Sequence, residues 1–252
     1  VRVIYTFLRD WREPEVEDYQ DGKTTRYRYN SKALTDYRRD LSIANYQYTN
    51  DGSVLYVKGS ATDEKIILDK DLNPNLSQKE KQNYTPAKWD IQKYVTTNSF
   101  INNDKSNVNW YFLRYADVLL LYAEALNEWK HGPDTEAYNA INAVRRRGYG
   151  NPSNTSACDL PQGLDETSFR EAVRKERSYE LSFEGHRRQD LIRWGIYYKT
   201  VQATAKELGY WWEGTGSPNY SVATYTEEGK HELFPIPQRD MDLCIQFNQN
   251  PK

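Results

Sequence analysis

Residues 110–130, WYFLRYADVLLLYAEALNEWK, are apolar almost all the way round a helix. The polar exceptions Arg114, Asp117, Glu124, Asn127 and Glu128 recur near steps of three, four and seven. That spacing predicts one helix with a single narrow polar stripe. A helix this apolar, yet salted with charge, belongs between other helices rather than in lipid. Trp129, on this helix, reads as core. The chain must therefore supply further helices to cover it, and the next segments do. Gly132-Pro133 breaks the helix, and Asp134 is placed to cap a second one. Ala137, Ala140, Ile141 and Val144 follow at helical spacing, and Gly148 ends the run after Arg145, Arg146 and Arg147. Two helices with so short a joint form an antiparallel hairpin. A third helix follows Asp165 as cap, with Phe169, Ala172, Val173 and Glu176 on one side. Gly185 marks a boundary, and a short fourth helix carries Asp190 to Trp194, closed by Gly195. Trp194 also reads as core. In the tail, Pro235-Ile236-Pro237 must be extended, because proline disfavours helix in the residue before it. Two helical hairpins in succession suggest a helical-repeat architecture, although the spacing alone does not establish a repeat.

The first 110 residues read differently, as short segments broken by turn signals. TNDGSVLYVKGS places Asp51-Gly52 before Val54-Leu55-Tyr56-Val57, a hairpin cue. TRYRYNS and EKIILDKDLN are further candidate strands. The fold class expected is mainly α, helical hairpins with loop-rich insertions and short β-hairpins.

Charge is concentrated at residues 176–195, ERSYELSFEGHRRQDLIRWG. Glu176, Glu180 and Glu184 fall four apart and would line one stripe of a helix. Like charges at that spacing repel by a few tenths of a kcal/mol per pair, more when dehydrated. Arg177, Arg187 and Arg193 are local partners; Arg114, Arg145 and Arg147 are distant ones. Arginine suits this role because its planar fork pairs with a carboxylate through two bonds. The alternative is a pair of carboxylates acting as general acid and base, as in glycoside hydrolysis. That requires one raised pKa, whereas neighbouring arginines lower carboxylate values. The residues favour structural pairing.

Other chemistries find little support. Lys+Arg number 34 and Asp+Glu 36, for a net charge of −2 with both signs interleaved. The longest basic run, Arg145–Arg147, sits at a helix end, where it complements the helix dipole, so nucleic acid is not an expected partner. No run of 18 apolar residues, the length a membrane-spanning helix needs, occurs in the chain. His131, His186 and His231 are isolated, and no HExxH, GxSxG, P-loop or GxGxxG pattern occurs. DKDLNPNLSQKE places Asp69, Asp71, Asn73 and Glu80 at calcium-loop positions. The sixth position, which needs a positive φ, is Pro74, whose ring holds φ near about −65°. An Asx-rich turn is expected there, and no cofactor or bound calcium. Cys158 and Cys244 are too few for a disulfide framework.

The blocks FLRYADVLLLYAEALNE, AYNAINAVRRRGYG, FREAVRKERSYELSFEGHRRQDLIRWG and LFPIPQRDMDLCIQFNQNP resemble, in that order, the C-terminal half of SusD/RagB-like proteins. TDYRRD and KWDIQKY resemble the weaker pattern upstream. The resemblance implies a TPR-like superhelix of helical hairpins and no catalysis. It implies a lipid-anchored protein at the surface of the outer membrane of Bacteroidetes-type bacteria, seated over a SusC-like, TonB-dependent transporter. Glycan, or in some members peptide, would be captured and passed to the pore. It also implies that residues 1–252 form the C-terminal part of one such domain, 1–110 loop-rich and 111–252 helical, and that this piece needs its N-terminal half as a partner in folding. The acids and arginines of the helical half, Glu124, Arg187 and Asp190 included, would then form an ionic framework.

Ligand chemistry belongs on the irregular stretches. With Tyr 21 and Trp 7, aromatic residues with a polar handle are plentiful, and such rings suit contact surfaces. Sugar rings offer apolar C–H faces to flat aromatics and hydroxyls to polar neighbours. Trp211 and Trp212 in YWWEGTGSPNY fit best, followed by Trp11 in RDWREPE and Trp89 in PAKWDIQKY. Tyr29 is a weaker candidate, as are Tyr27, Tyr46 and Tyr48. Glycan capture is the leading reading; peptide capture with docking to the transporter is the second, and a glycoside hydrolase the third.

Overall fold

The computed structural model describes residue 11 and residues 16–21, 24–29, 36–44, 46–48, 54–56, 85–89, 109–151, 157–210, 225–244 and 246–250. The chain divides into two compact units, Val1–Gly185 and His186–Lys252.

Within the first unit, β1 (Val16–Asp21) pairs antiparallel with β2 (Thr24–Tyr29). The candidate strand TRYRYNS is borne out over Thr25–Tyr29, while its partner VEDYQD was not anticipated. A short helix α1 (Tyr37–Ser42) is capped by Asp36, whose carboxylate accepts from the Arg38 backbone N–H at 3.1 Å. It runs into β3 (Ile43–Ala44). Then β4 (Tyr46–Tyr48) pairs with β5 (Val54–Tyr56), Tyr46 opposite Tyr56, as the Asp51-Gly52 hairpin cue predicts. The strand expected in EKIILDKDLN and the calcium-like stretch lie outside the described residues. β6 (Thr85–Pro86) pairs with β3, and the Ala87 N–H donates to the Ser42 carbonyl at 2.8 Å. This pairing brings Lys88 and Trp89 toward the helices.

Three helices carry the core. α2 (Tyr115–Lys130) and α3 (Thr135–Gly148) form the predicted hairpin, and α4 (Glu166–Glu180) packs on both. Asp134 caps α3 through the Ala137 N–H at 2.9 Å, and Asp165 caps α4 through Ser168 at 2.7 Å. The core joins Leu120, Ala123 and Leu126 of α2 to Ala137, Ile141 and Val144 of α3 and to Phe169 and Val173 of α4. Burying an aliphatic or aromatic side chain of this size contributes about 1.5–3 kcal/mol. Tyr138 meets Phe169 edge-on at 5.1 Å. Buried Asn127 donates to the Glu166 carbonyl at 3.0 Å, tying the end of α2 to the start of α4.

Two expectations fail on α2. The helix begins at Tyr115, not Trp110: Arg114, extended (φ −141, ψ 159), stands at the N-cap position without a side-chain capping bond. Residues 110–113 leave the helical path, and Trp110 packs against Trp89 instead. Trp129 is also not core. It is 75% exposed, with Tyr115, Val118 and Tyr122 on the same face, because the α3 and α4 core packs on the opposite face, although the Tyr122 hydroxyl reaches across to donate to Glu136 of α3 at 2.7 Å.

In the second unit, α5 (Arg187–Arg193) is followed by α6 (Tyr197–Tyr210) and α7 (Gln238–Leu243). Trp194, at the end of α5, is half-buried, flanked by the guanidinium groups of Arg187 and Arg193 at 5.7 and 4.8 Å from its ring. Ile236 lies between two prolines that have no N–H to give. The Gln249 side chain serves both sides of this residue, accepting from its N–H at 2.7 Å and donating to its carbonyl at 2.9 Å. Asn250 donates to the Phe234 carbonyl at 2.7 Å. Arg188 donates to the His231 carbonyl at 2.8 Å and lies 4.5 Å over the Phe234 ring.

Candidate functional site

The charge cluster lies at the C-terminal end of α4. Glu176 accepts from Arg38 Nη1 at 2.6 Å and from Arg145 Nη1 at 2.9 Å. Glu180 is held by three arginines: Arg38 at 2.9 Å, with Arg114 and Arg147 on its other oxygen. Arg38 also grips Asp36 at 2.6 Å, which joins α1 to the helical core. Arg177 donates to Asp117 of α2 at 2.7 Å, both residues being buried. Likewise Arg193 turns to Asp190 at 3.0 Å.

Glu184 departs from the predicted stripe. α4 ends at Glu180, so Glu184 sits in the turn beyond it. That turn is tightly specified, with Phe183 at φ +62 and Gly185 at φ +86. A left-handed conformation costs a non-glycine residue about 1–2 kcal/mol. Here the conformation aims the Phe183 carbonyl at the indole N–H of Trp89, which donates at 2.9 Å. Glu184 is brought back to Arg114 Nε at 2.7 Å and into an ion pair with Lys88. Lys88 also donates to the Glu180 carbonyl at 2.7 Å, where Arg114 Nη2 donates too. Two cations thus neutralise the carbonyl end of the helix.

At Glu180 the electrostatics oppose a general-acid role. Burial alone pushes the Glu180 carboxyl up; the hydrogen bond from Arg147 and the charges of Arg38 and Arg114 overcome it and bring its pKa down to about 2. Arg38, despite its burial, is raised by Glu176 and Asp36. Burial pulls the Lys88 amine down, and its pairing with Glu184 offsets this only in part. A general acid at neutral pH needs the opposite shift. Among the described residues, no group of histidine, cysteine and carboxylate side chains is arranged to hold a metal. Cys158 is buried and Cys244 exposed.

The ligand candidates separate. Trp11 is corrected: only 3% exposed, it stacks on Tyr179 at 4.5 Å and its indole N–H donates to Asp36 at 3.0 Å, so neither its face nor its polar handle is open to a ligand. Trp89 is half-buried and stacks on Trp110 at 4.6 Å, 15° from parallel, with Tyr111 tilted at 5.5 Å. Trp110 and Tyr111 are each 51% exposed. The backbone of Tyr29 lies on β2 opposite Val16. Trp211 and Trp212 lie outside the described residues. Sequence reasoning missed Arg38, Lys88, Trp110 and Tyr111 as members of this region. The signal for the last two was the run NWYFLRY, which helical periodicity absorbed.

The model of the SusD family matches residues 5–252. The chain belongs to the SusD family. Among curated proteins, it is 38% identical over 130 residues to SusD-like protein P25 of Formosa agariphila, covering 52% of this chain and 21% of that protein. SusD-like protein P2 of the same organism is 26% identical over 215 residues, 72% of this chain and 42% of that one. A solved SusD homolog from Bacteroides thetaiotaomicron VPI-5482 superposes with a TM-score of 0.79 at 79% identity, covering 99% of this chain and 43% of that chain. A SusD superfamily protein from Bacteroides vulgatus ATCC 8482 shares the fold, with a TM-score of 0.53 at 22% identity, over 85% of this chain and 39% of that one. The chain thus spans less than half the length of these relatives. The TPR-like, mainly α SusD fold accounts for the hairpin α2–α3 with α4 packed upon it.

Proposed function

We propose that this SusD-family chain serves glycan capture at the cell surface, on a protein anchored by lipid to the outer membrane, with delivery of oligo- or polysaccharide to a SusC-like, TonB-dependent transporter. The observation that carries the reading is the division of labour among side chains. Glu176, Glu180 and Glu184 are each engaged by cations, and Glu180 is held at a pKa of about 2. Acidic groups locked in pairs are a framework, not an acid–base pair. Recognition then falls to exposed rings, and Trp110 and Tyr111 stand half open. The test is isothermal titration of the intact full-length protein against a polysaccharide panel, with casein peptides as a separate arm, repeated with Trp211→Ala and Trp212→Ala. Binding to at least one glycan, and to no peptide, is expected. Absence of binding to every glycan overturns the reading, and reducing-sugar release lost on a single acid-to-amide change would make the protein a hydrolase.

A further inference from the structure

We propose that His231 is an acid-sensitive clasp, independent of any ligand: the turn Glu227–His231 is held closed while the imidazole is neutral and opens as the pH falls. In this turn the ring is an acceptor. The Glu227 backbone N–H donates to His231 Nδ1 at 2.9 Å, so Nδ1 carries no proton and the neutral ring keeps its single N–H at Nε2. The backbone bonds that close the same turn, from the Lys230 and His231 N–H groups to the Glu227 carbonyl, are both 3.4 Å long. The side-chain bond is the shortest of the three. Protonation puts a hydrogen on Nδ1 and turns the acceptor into a donor facing the Glu227 N–H. Histidine is the side chain whose charge changes between about pH 5 and 8.

The surrounding charges decide where the ring goes. Its own turn carries Glu227, Glu228, Lys230 and Glu232, and Arg188 reaches it from α5. The Glu227 carboxylate accepts from the Lys230 amine at 2.7 Å. That bond first, then the charges of Lys230 and His231, hold the Glu227 carboxyl below its ordinary value. A protonated imidazole is therefore drawn away from the Glu227 N–H and toward the Glu227 carboxylate. The effect reaches beyond the turn. Arg188 donates to the His231 carbonyl at 2.8 Å and lies 4.5 Å over the Phe234 ring, and the Phe234 carbonyl accepts from Asn250 at 2.7 Å. His231 is thus joined to the turn by its ring and to α5 by its backbone. Opening the clasp loosens the hold of Arg188 on residues 231–234.

The experiment is hydrogen exchange by mass spectrometry on the full-length protein, wild type beside His231→Asn, at about pH 5 and about pH 8. The asparagine Oδ1 replaces Nδ1 as an acceptor but does not take a proton. Comparing the two proteins at one pH cancels the intrinsic pH dependence of exchange. Residues 227–234 should exchange alike in both proteins at the higher pH. At the lower pH they should exchange about threefold or more faster in wild type, the scale of one lost hydrogen bond. His231→Phe, which offers no acceptor, should exchange fast at both. A nitrogen NMR spectrum of wild type should place the His231 proton on Nε2 at the higher pH. Equal exchange of wild type and His231→Asn at the lower pH overturns the proposal. So does a proton on Nδ1 at the higher pH, or exchange in His231→Phe as slow as in wild type there.

Discussion

Glu180 shows how much one side chain can organise. Its carboxylate ties α4 to α1 through Arg38, to α3 through Arg147, and to the N-cap position of α2 through Arg114. Replacing it by glutamine leaves three arginines facing a neutral amide. The expected cost is about 3–5 kcal/mol, as for other broken buried pairs, measured by chemical denaturation of Glu180→Gln. The pH dependence follows from the direction of its shift. The folded-state pKa, about 2, lies below the ordinary 4.5, so the contribution is complete above about pH 4.5 and fades as pH falls toward 2. Wild type should lose stability across that window, and Glu180→Gln should lose less. Gly148 supplies a second test. A Cβ there would lie 2.3 Å from Arg38 Nε, and Arg38 is held by Asp36, Glu176 and Glu180. Alanine normally favours a helix over glycine by about 1 kcal/mol. Here the pinned guanidinium cannot move aside without leaving its acids, so Gly148→Ala should lower the melting temperature instead of raising it.

At the level of elements, the ends and turns are as specific as the helices. The turn after α4 carries two left-handed residues, Phe183 and Gly185, and gathers Lys88, Trp89, Trp110 and Arg114 around it. In the extended Pro235–Pro237 segment, the Gln249 side chain bonds both backbone groups of Ile236. Gln249 replaces the strand neighbour that Ile236, isolated between prolines, would otherwise lack. Gln249→Ala should destabilise the unit that contains it by about 1–3 kcal/mol, the cost of leaving backbone groups without partners. Faster hydrogen exchange at Ile236 would report it, and unchanged protection there would count against this role.

For the molecule as a whole, α2 has two apolar faces and the described residues cover one. Tyr115 and Trp129 are each 75% exposed, and Val118 and Tyr122 lie between them at 43% and 45%. A contiguous apolar stripe of this kind drives association. The chain on its own should show concentration-dependent mass in sedimentation, reduced by Val118→Lys with Tyr122→Lys. A monomer at all concentrations would count against it.

The sequence by itself determined the three core helices α2–α4, the short α5 after them, and their order; α1, α6 and α7 were not read from it. Periodicity, Asp134 and Asp165 as caps, and the breaks at Gly132-Pro133 and Gly185 are local chemistry, and local chemistry is written along the chain. It also determined that the acids would be paired, since unpaired buried carboxylates are too costly to keep. Only the tertiary structure decided the partners. Arg38 lies 138 residues from Glu176, and Lys88 lies 92 residues from Glu180; no spacing rule reaches that far. The same limit explains Trp11, Trp110 and Trp129. Each is a large ring in a plausible place, and which becomes core and which surface depends on which neighbour arrives to cover it: Tyr179 covers the first, Trp89 backs one face of the second, and α3 and α4 pack on the side of α2 away from the third.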